Sequence, residues 1–190
     1  STQVLLLRNE QATRTGVLAA MNGLLDRVGL DDLVVFYFAG HGSQMPDREG
    51  TKFDPPLDDT IVPHDSGRFQ HPSRDITDDE MRLWLLDLSR KTRYITLVFD
   101  CCHSATMHRA FGAVCSTERG LPADTRSIRD LPPSPIPTER VELLRAKNWL
   151  PPEDRYVYLA ACLAKETAKE ITAIEGTEVV HHGALTYALL

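Results

Sequence analysis

The stretch LVVFYFAGHGS, residues 33–43, runs from the strongest strand pattern of the chain into a histidine between two glycines. Its first seven residues, Leu33–Ala39, are mostly β-branched or aromatic, which is typical of strands. This run is the strongest strand pattern of the chain and predicts a buried strand. The patterns on either side of this strand decide the fold.

Strand and helix patterns alternate along the first hundred residues. Two further apolar runs, VLLL and YITLVF, predict strands at residues 4–7 and 94–99. Between the strands, apolar residues recur at helical spacing over residues 17–28 and 81–88, and a capping box that starts at Thr77 precedes the second helix. This β-α-β-α-β order predicts an α/β fold with helices on a mainly parallel sheet.

The length of 190 residues favours one domain, over residues 1–190. Composition changes in the second half, because seven of the twelve prolines lie between residues 120 and 155. We expect an exposed Pro-rich linker at 103–155, with one short helix at 139–147. The strand pattern resumes at residues 156–162, and the final apolar pattern still resembles a helix when the sequence ends.

Composition excludes several classes of protein. The net charge of −6 argues against a nucleic-acid backbone as a partner. No apolar run approaches the roughly 18 residues that a membrane span needs, so we expect no membrane partner. Four cysteines, two of them adjacent, do not form a disulfide framework in a chain of this length, which favours a reducing, cytoplasmic compartment. Since the chain does not begin with methionine, we expect it to be a piece of a longer protein.

Two of the strand patterns end in reactive side chains, His41 and Cys102. Because chemistry in open parallel sheets gathers at the carboxyl ends of the strands, we expect these residues to form one site. An imidazole raises the thiolate fraction of a neighbouring cysteine, and the thiolate attacks carbonyl carbons. The backbone N–H groups of Gly42 and Cys102 are candidate donors to the resulting oxyanion.

The residues alone leave other interpretations open. His41 also fits an ordinary loop position, and Cys102 also fits a small buried apolar position. A disulfide between Cys101 and Cys102 is disfavoured by the geometry of adjacent residues. A zinc site at Cys101 and His103 lacks the spaced ligand pairs that such sites use.

Five motifs in order resemble those of caspase-like cysteine peptidases of the metacaspase type, in their bacterial form: FYFAGHGSQ, DDTIVPHD, ITDDEM, LVFDCCHS and YLAACLAKETAKE. The resemblance implies a caspase-like fold and endopeptidase activity through a thioester acyl-enzyme. It makes Cys102, two residues after an aspartate, the nucleophile and His41 its partner. It also implies a large-subunit-like region at 1–102 and a truncated small-subunit-like region at 156–190.

The same resemblance assigns further roles. Asp100 matches the aspartate on the floor of the S1 pocket, which implies protein or peptide substrates with Arg or Lys at P1. Asp78 and Asp79 match aspartates that bind calcium as an activator, although acidic residues also stabilise the first turn of a helix without metal. Ala39 and Ala105 depart from the family pattern. Two alternatives stay open: a catalytically inactive caspase-like binding module, and another thiol hydrolase or acyltransferase.

Overall fold

The computed structural model describes residues 2–52, 56–67, 74–101, 120–146, 155–162, 168, 170–175 and 177–189. Among them are four helices, α1 (Arg14–Arg27), α2 (Asp78–Ser89), α3 (Thr138–Arg145) and α4 (Ala184–Leu189). The eight strands are β1 (Leu33–Ala39), β2 (Gly42–Pro46), β3 (Leu57–Ile61), β4 (Ile76–Thr77), β5 (Tyr94–Asp100), β6 (Tyr156–Ala160), β7 (Glu170–Glu175) and β8 (Glu178–Gly183).

The central sheet is parallel, with the strand order β1-β5-β6. β1 and β5 pair along their whole length, from Leu33 opposite Tyr94 to Ala39 opposite Asp100. The predicted strands at 33–39, 94–99 and 156–162 therefore form one sheet, and the predicted α/β class is confirmed. β5 is the central strand. Its last residue, Asp100, lies at the edge of the sheet where β1 also ends.

Helices α1 and α2 cover one face of this sheet. Phe36 of β1 lies 5.4 Å from Trp84 of α2 and 5.7 Å from Phe99 of β5, measured between ring centroids. The indole Nε1 of Trp84 donates to the carbonyl of Met21 in α1 at 3.0 Å, which locks the two helices together. The apolar stripes predicted for both helices are the side chains that form this core.

The opposite face of the sheet is more open in the part of the chain that the structure describes. Leu33 and Val35 of β1, and Val157 and Leu159 of β6, are all exposed. The prediction of a buried strand at 33–39 therefore holds for one face of β1 and not for Leu33 and Val35. The reason is that α1 and α2 pack on the same face, so alternate residues of the strands point away from both helices.

The strand predicted at residues 4–7 is wrong. Val4, Leu5 and Leu6 belong to no strand among the described residues, and Val4 is 85% exposed. An apolar run specifies a strand only where a sheet edge is available to receive its backbone hydrogen bonds. Here the adjacent segment instead forms the short turn Asn9–Gln11 that leads into α1.

Two antiparallel sheets complete the described structure. The first has the order β2-β3-β4 and begins one residue after His41. The second is the hairpin of β7 and β8, which leads directly into α4. The sequence patterns assigned no strand to β2, β4, β7 or β8, because these strands are short or carry polar side chains at most positions.

The described part of the Pro-rich segment contacts β2 and α2 at several points. Leu121 donates its N–H to the carbonyl of Gly42 at 2.8 Å, and Asp124 donates to that of Gln44 at 2.7 Å, so the chain runs along β2. The predicted helix is present as α3, where Leu144 packs with Leu83 of α2. More than half of residues 120–146 are exposed, and the linker at 103–155 stays a prediction. Residues 103–119 and 147–154 lie outside the described residues.

We expect Leu144→Ala to lower the free energy of unfolding by about 2–5 kcal/mol, because it removes a side chain that is only 3% exposed from the contact with α2. The neighbouring Leu143 is 38% exposed and provides a matched control. Leu143→Ala should change the same quantity by less than about 1 kcal/mol. Urea denaturation followed by tryptophan fluorescence measures both. Equal effects of the two substitutions would contradict the packing of α3.

Candidate active site

His41 follows the end of β1 and precedes β2. Its backbone is fixed, because its carbonyl accepts a hydrogen bond from the N–H of Val62 at 3.0 Å. Its side chain is exposed. The structure therefore holds the imidazole at the carboxyl end of the parallel sheet, on a rigid backbone and open to a ligand.

β5 ends beside the strand that leads to His41. Ala39 pairs with Asp100, and the N–H of Gly40 donates to the carbonyl of Asp100 at 3.3 Å. His41 and Cys102 each follow this last pair by two residues. Cys102 and His103 lie outside the described residues, so the predicted thiol–imidazole pair stays a prediction.

Cys101 belongs to the hydrophobic core. It is 1% exposed and clusters with the residues of α2 and β5 that support the sheet. Its carbonyl lies 4.0 Å from the Sγ of Cys162, and both residues are thiols rather than halves of a disulfide. Cys101 is therefore not half of a disulfide. It fills a small buried apolar position in the core.

Gly42, the other predicted oxyanion donor, is the first residue of β2. It is buried, pairs with Ile61 of β3, and forms an isolated bridge with Gly120. Its carbonyl accepts from Leu121. Strand pairing on both sides thus fixes the peptide unit directly after His41, and its role as an oxyanion donor stays a prediction.

Asp100, predicted to bind a basic P1 side chain, is completely buried and contacts α4. Its Oδ2 accepts from the backbone N–H of Thr186 at 2.8 Å and from the Thr186 hydroxyl. That hydroxyl also bonds to Tyr37 of β1. The first turn of α4 thus holds Oδ2 of the carboxylate, and because Asp100 is completely buried, its surroundings would have to move before a basic peptide side chain could reach it.

Six buried carboxylates gather between the second sheet and the first turn of α2. Each is at most 5% exposed. They come from the segment after β2, from β3 and from α2, and we call them the acidic cluster: Asp47, Glu49, Asp58, Asp59, Asp78 and Asp79.

Two cations contact the acidic cluster. The Nζ of Lys52 lies 2.6 Å from Oδ1 of Asp78 and 3.7 Å from Oδ1 of Asp79, and it also contacts Asp58. Arg82, one turn along α2, lies 2.8 Å from Oδ2 of Asp78 and 3.1 Å from Oδ1 of Asp79. The aspartates predicted to bind calcium are therefore already paired with basic side chains of the same chain.

The excess of buried carboxylates raises the pKa of several side chains in the cluster. Burial, and next the charge of Asp78, raise the pKa of Asp58 to about 9 and that of Asp59 to about 7. The same two causes raise the pKa of Asp79. Burial alone would lower the pKa of Lys52, but the charges of Asp78, Asp58 and Asp79 outweigh burial and raise it. The folded cluster therefore holds protons or cations more tightly than the same side chains in water.

A metal ion needs several oxygen ligands close together, and four members of the cluster provide them. One carboxylate oxygen each of Asp47, Glu49, Asp58 and Asp79 lies within 4.8 Å of the others. Asp78 is not in this group. The predicted calcium ligands Asp78 and Asp79 thus stay a prediction, and the sequence patterns missed Asp47, Glu49, Asp58 and Lys52 as their neighbours.

The comparisons with known proteins give the family. A family model described as "Metacaspase, peptidase C14 domain" matches residues 3–110, which is more than half of the chain. The chain belongs to the metacaspase family. This match includes the strands that lead to His41 and to Cys102, and it confirms the resemblance drawn from the motifs.

Curated metacaspases match over half of the chain. Metacaspase-1 of Pyricularia oryzae is 34% identical over 96 residues, which are 50% of this chain and 23% of that protein. Metacaspase-1B of Neurospora crassa is 37% identical over 97 residues, 50% of this chain and 21% of that protein. The chain thus matches about a quarter or less of the length of these relatives. The crystal structure of protein GSU0716 from Geobacter sulfurreducens covers 54% of this chain and 35% of its own, at 25% identity and a TM-score of 0.42.

Among the described residues of this metacaspase domain, none of the helices combines the length and the apolar character needed to span a membrane.

We expect Thr186→Val to lower the free energy of unfolding by about 1–3 kcal/mol, because it removes a hydroxyl donor from the buried Asp100 carboxylate. Thr172 is the control, since it is exposed and bonds only to the neighbouring strand at His181. Thr172→Val should cost less than about 0.5 kcal/mol. Chemical denaturation at pH 7 measures both values. A Thr186→Val variant as stable as the control variant would show that α4 does not hold Asp100.

Proposed function

We propose that the chain is a cysteine endopeptidase domain in which Cys102 is the nucleophile and His41 its acid–base partner. Family membership supports a cysteine-type peptidase. The observation that carries the proposal is the register of β1 and β5, because Ala39 opposite Asp100 brings the two motif strands to an end side by side. Reactive groups that follow adjacent strand ends by two residues each are within reach of one substrate bond.

The reaction proceeds in two halves. His41 takes the proton of the Cys102 thiol, and the thiolate adds to the carbonyl carbon of the scissile peptide bond. The backbone N–H groups of Gly42 and Cys102 stabilise the oxyanion. His41 then gives its proton to the leaving amine as the C–N bond breaks, which leaves a thioester on Cys102. Water, deprotonated by His41, hydrolyses the thioester and restores the thiol.

The burial of Cys101 supports the choice of Cys102 as nucleophile. A nucleophilic thiol has to meet both its base and the substrate, so it lies in a partly exposed, polar environment. Cys101 is instead buried among the apolar side chains of the core. Cys101 is therefore a core residue, and we assign the role of nucleophile to Cys102.

We propose further that the substrates are proteins or peptides with Arg or Lys at P1, bound through Asp100. A carboxylate buried at the carboxyl end of β5 favours a cation strongly, because a charge-assisted hydrogen bond is about twice as strong as a neutral one. The two groups from Thr186 that now contact Asp100 are neutral donors. A guanidinium offers the same carboxylate two parallel N–H donors and a positive charge.

A catalytically inactive caspase-like binding module is the second candidate, and the covered Asp100 favours it. If α4 stays on Asp100, no basic side chain enters. A covalent peptide inhibitor with Arg at P1 separates the two functions, because it labels Cys102 in a working peptidase and leaves an inactive module unlabelled. We place either function in a reducing compartment such as the cytoplasm, which agrees with the buried thiols of Cys101 and Cys162.

We expect Cys102→Ala to abolish peptide cleavage, with a loss of about a thousandfold or more, because no other group can form the thioester. Cys101→Ala is the matched control and should keep most of the activity, since Cys101 has no part in the reaction. Hydrolysis of a fluorogenic peptide with Arg at P1 measures both. If Cys101→Ala were the inactive variant and Cys102→Ala the active one, the assignment of the nucleophile would be refuted.

We expect Asp100→Asn to reduce kcat/KM for Arg and Lys substrates by about a hundredfold, because it removes the charge that pairs with P1. The amide keeps an acceptor for Thr186, so the fold should be preserved. Cleavage of matched peptides with Arg, Lys or Gln at P1 measures the change in preference. Undiminished cleavage after Arg would remove Asp100 from the pocket.

A further inference from the structure

Lys52 lies where three carboxylates of the acidic cluster converge. Its ammonium contacts Asp58 of β3 together with Asp78 and Asp79 of α2, and its side chain is only 11% exposed. Three carboxylates from two different elements therefore share one cation. Arg82 also contacts Asp78 and Asp79, from within α2.

Buried carboxylates this close to one another need a positive charge between them. Their mutual repulsion is strong away from water, and removing one of the compensating charges leaves buried carboxylates without enough positive charge to balance them. A hard divalent cation with oxygen ligands is one way to supply the charge. A lysine ammonium is another, and it is fixed to the chain rather than drawn from solution.

The loop after β2 is built to deliver Lys52. The carboxylate of Asp47 accepts from the backbone N–H groups of Glu49 at 2.9 Å, Gly50 at 2.8 Å and Lys52 itself at 2.6 Å. Gly50 adopts the left-handed conformation, with φ of +64°, that this tight turn requires. Thr51 then donates its hydroxyl to Oδ2 of Asp79 at 2.8 Å. The backbone that leads up to Lys52, including its own N–H, is thus held in place by Asp47.

We propose that Lys52 is an internal cation that takes the place of an activating divalent metal ion in this metacaspase domain. It joins β3 to the first turn of α2 in the absence of metal. β2 pairs with β3, with Met45 opposite Asp58, and β2 begins directly after His41. Lys52 is therefore a positioning residue, which acts on the catalytic histidine through the sheet and not by touching substrate.

A rival arrangement is visible in the same cluster. Oδ2 of Asp58 and Oε2 of Glu49 are buried and have no hydrogen-bond partner within the described part of the chain. Together with Asp47 and Asp79 they form a set of oxygens close enough to hold an ion beside Lys52. The two arrangements differ in what the wild-type protein does with calcium, because an internal cation leaves no need for one.

The first experiment uses the wild-type chain and does not depend on peptidase activity. Calcium chloride is titrated into protein dialysed against EGTA, by isothermal titration calorimetry, and melting temperatures are compared in 1 mM calcium and 1 mM EGTA, roughly the concentrations at which a sensor-type site would be saturated or empty. We expect no binding heat and melting temperatures that agree within about 1 °C, since a ligand that does not bind cannot stabilise. Binding with a Kd in the micromolar range would overturn the proposal.

The second experiment removes the ammonium. We expect Lys52→Met to lower the melting temperature in EGTA by about 5–10 °C, as the loss of one partner of a buried ion pair does in a domain of this size. Calcium should restore most of this loss, because the vacated carboxylates now accept a metal ion. Lys91→Met is the matched control: Lys91 is exposed after α2, and its replacement should neither shift melting nor create a response to calcium.

Three results would overturn the proposal. They are calcium stabilisation of the wild type as large as that of Lys52→Met, a Lys52→Met variant that melts like Lys91→Met, or a destabilised Lys52→Met variant whose melting temperature calcium does not raise.

If Lys52→Met does not yield folded protein, the wild-type titration decides alone. If the metal results hold but no peptide is cleaved, the role of Lys52 stands and the proposed peptidase function fails. If peptide is cleaved, equal rates in calcium and EGTA support Lys52, and a chelator-sensitive rate overturns it.

Discussion

The pairing of β1 with β5 is the constraint on which the described structure depends. It sets Phe36 and Phe99 against Trp84, so it decides which face of the sheet α1 and α2 cover. It also ends the two motif strands at the same edge. A slip of one residue would turn every side chain of one strand to the other face, which would expose the aromatic core and turn Asp100 away from α4. A change in the register of β1 and β5 would therefore alter the core and the candidate site together.

Residue patterns predicted those parts of the fold that depend on local repetition. The strands at 33–39 and 94–99 and the stripes of α1 and α2 are long enough for their periodicity to decide between helix and strand. The run at 4–7 failed, since four apolar residues do not specify a partner edge. In the Pro-rich segment, composition does not predict that Leu121 bonds to β2, because this contact joins residues far apart in sequence.

In the candidate site, too, local patterns predicted some positions, whereas contacts between distant residues were not predicted. The positions of His41 and of the strand that precedes Cys102 follow from strand ends, which a pattern shows directly. The environment of each carboxylate does not: Lys52 reaches Asp78 from 26 residues away, and Thr186 reaches Asp100 from 86 residues away. Such pairs depend on the path of a loop and on the docking of a short helix. A sequence with Asp78 and Asp79 in a helical first turn therefore fits a metal site, a helix cap or an ion pair with Lys52 equally well.

Asp100 and the carboxylates of the acidic cluster are all buried, but they have different partners. The difference is between a carboxylate that can bind a ligand and carboxylates that support the fold. Asp100 accepts from an N–H and a hydroxyl of Thr186, both neutral, on a helix of six residues. Neutral donors stabilise a buried carboxylate less than a cation does, so an arriving guanidinium can displace them with a net gain. Asp58, Asp78 and Asp79 already contact an ammonium held by a braced loop. Exchange there would release a cation that is already bound and would gain little. Under the proposed function a basic substrate side chain competes for Asp100, whereas the acidic cluster keeps Lys52 and anchors the pair of strands that follows His41.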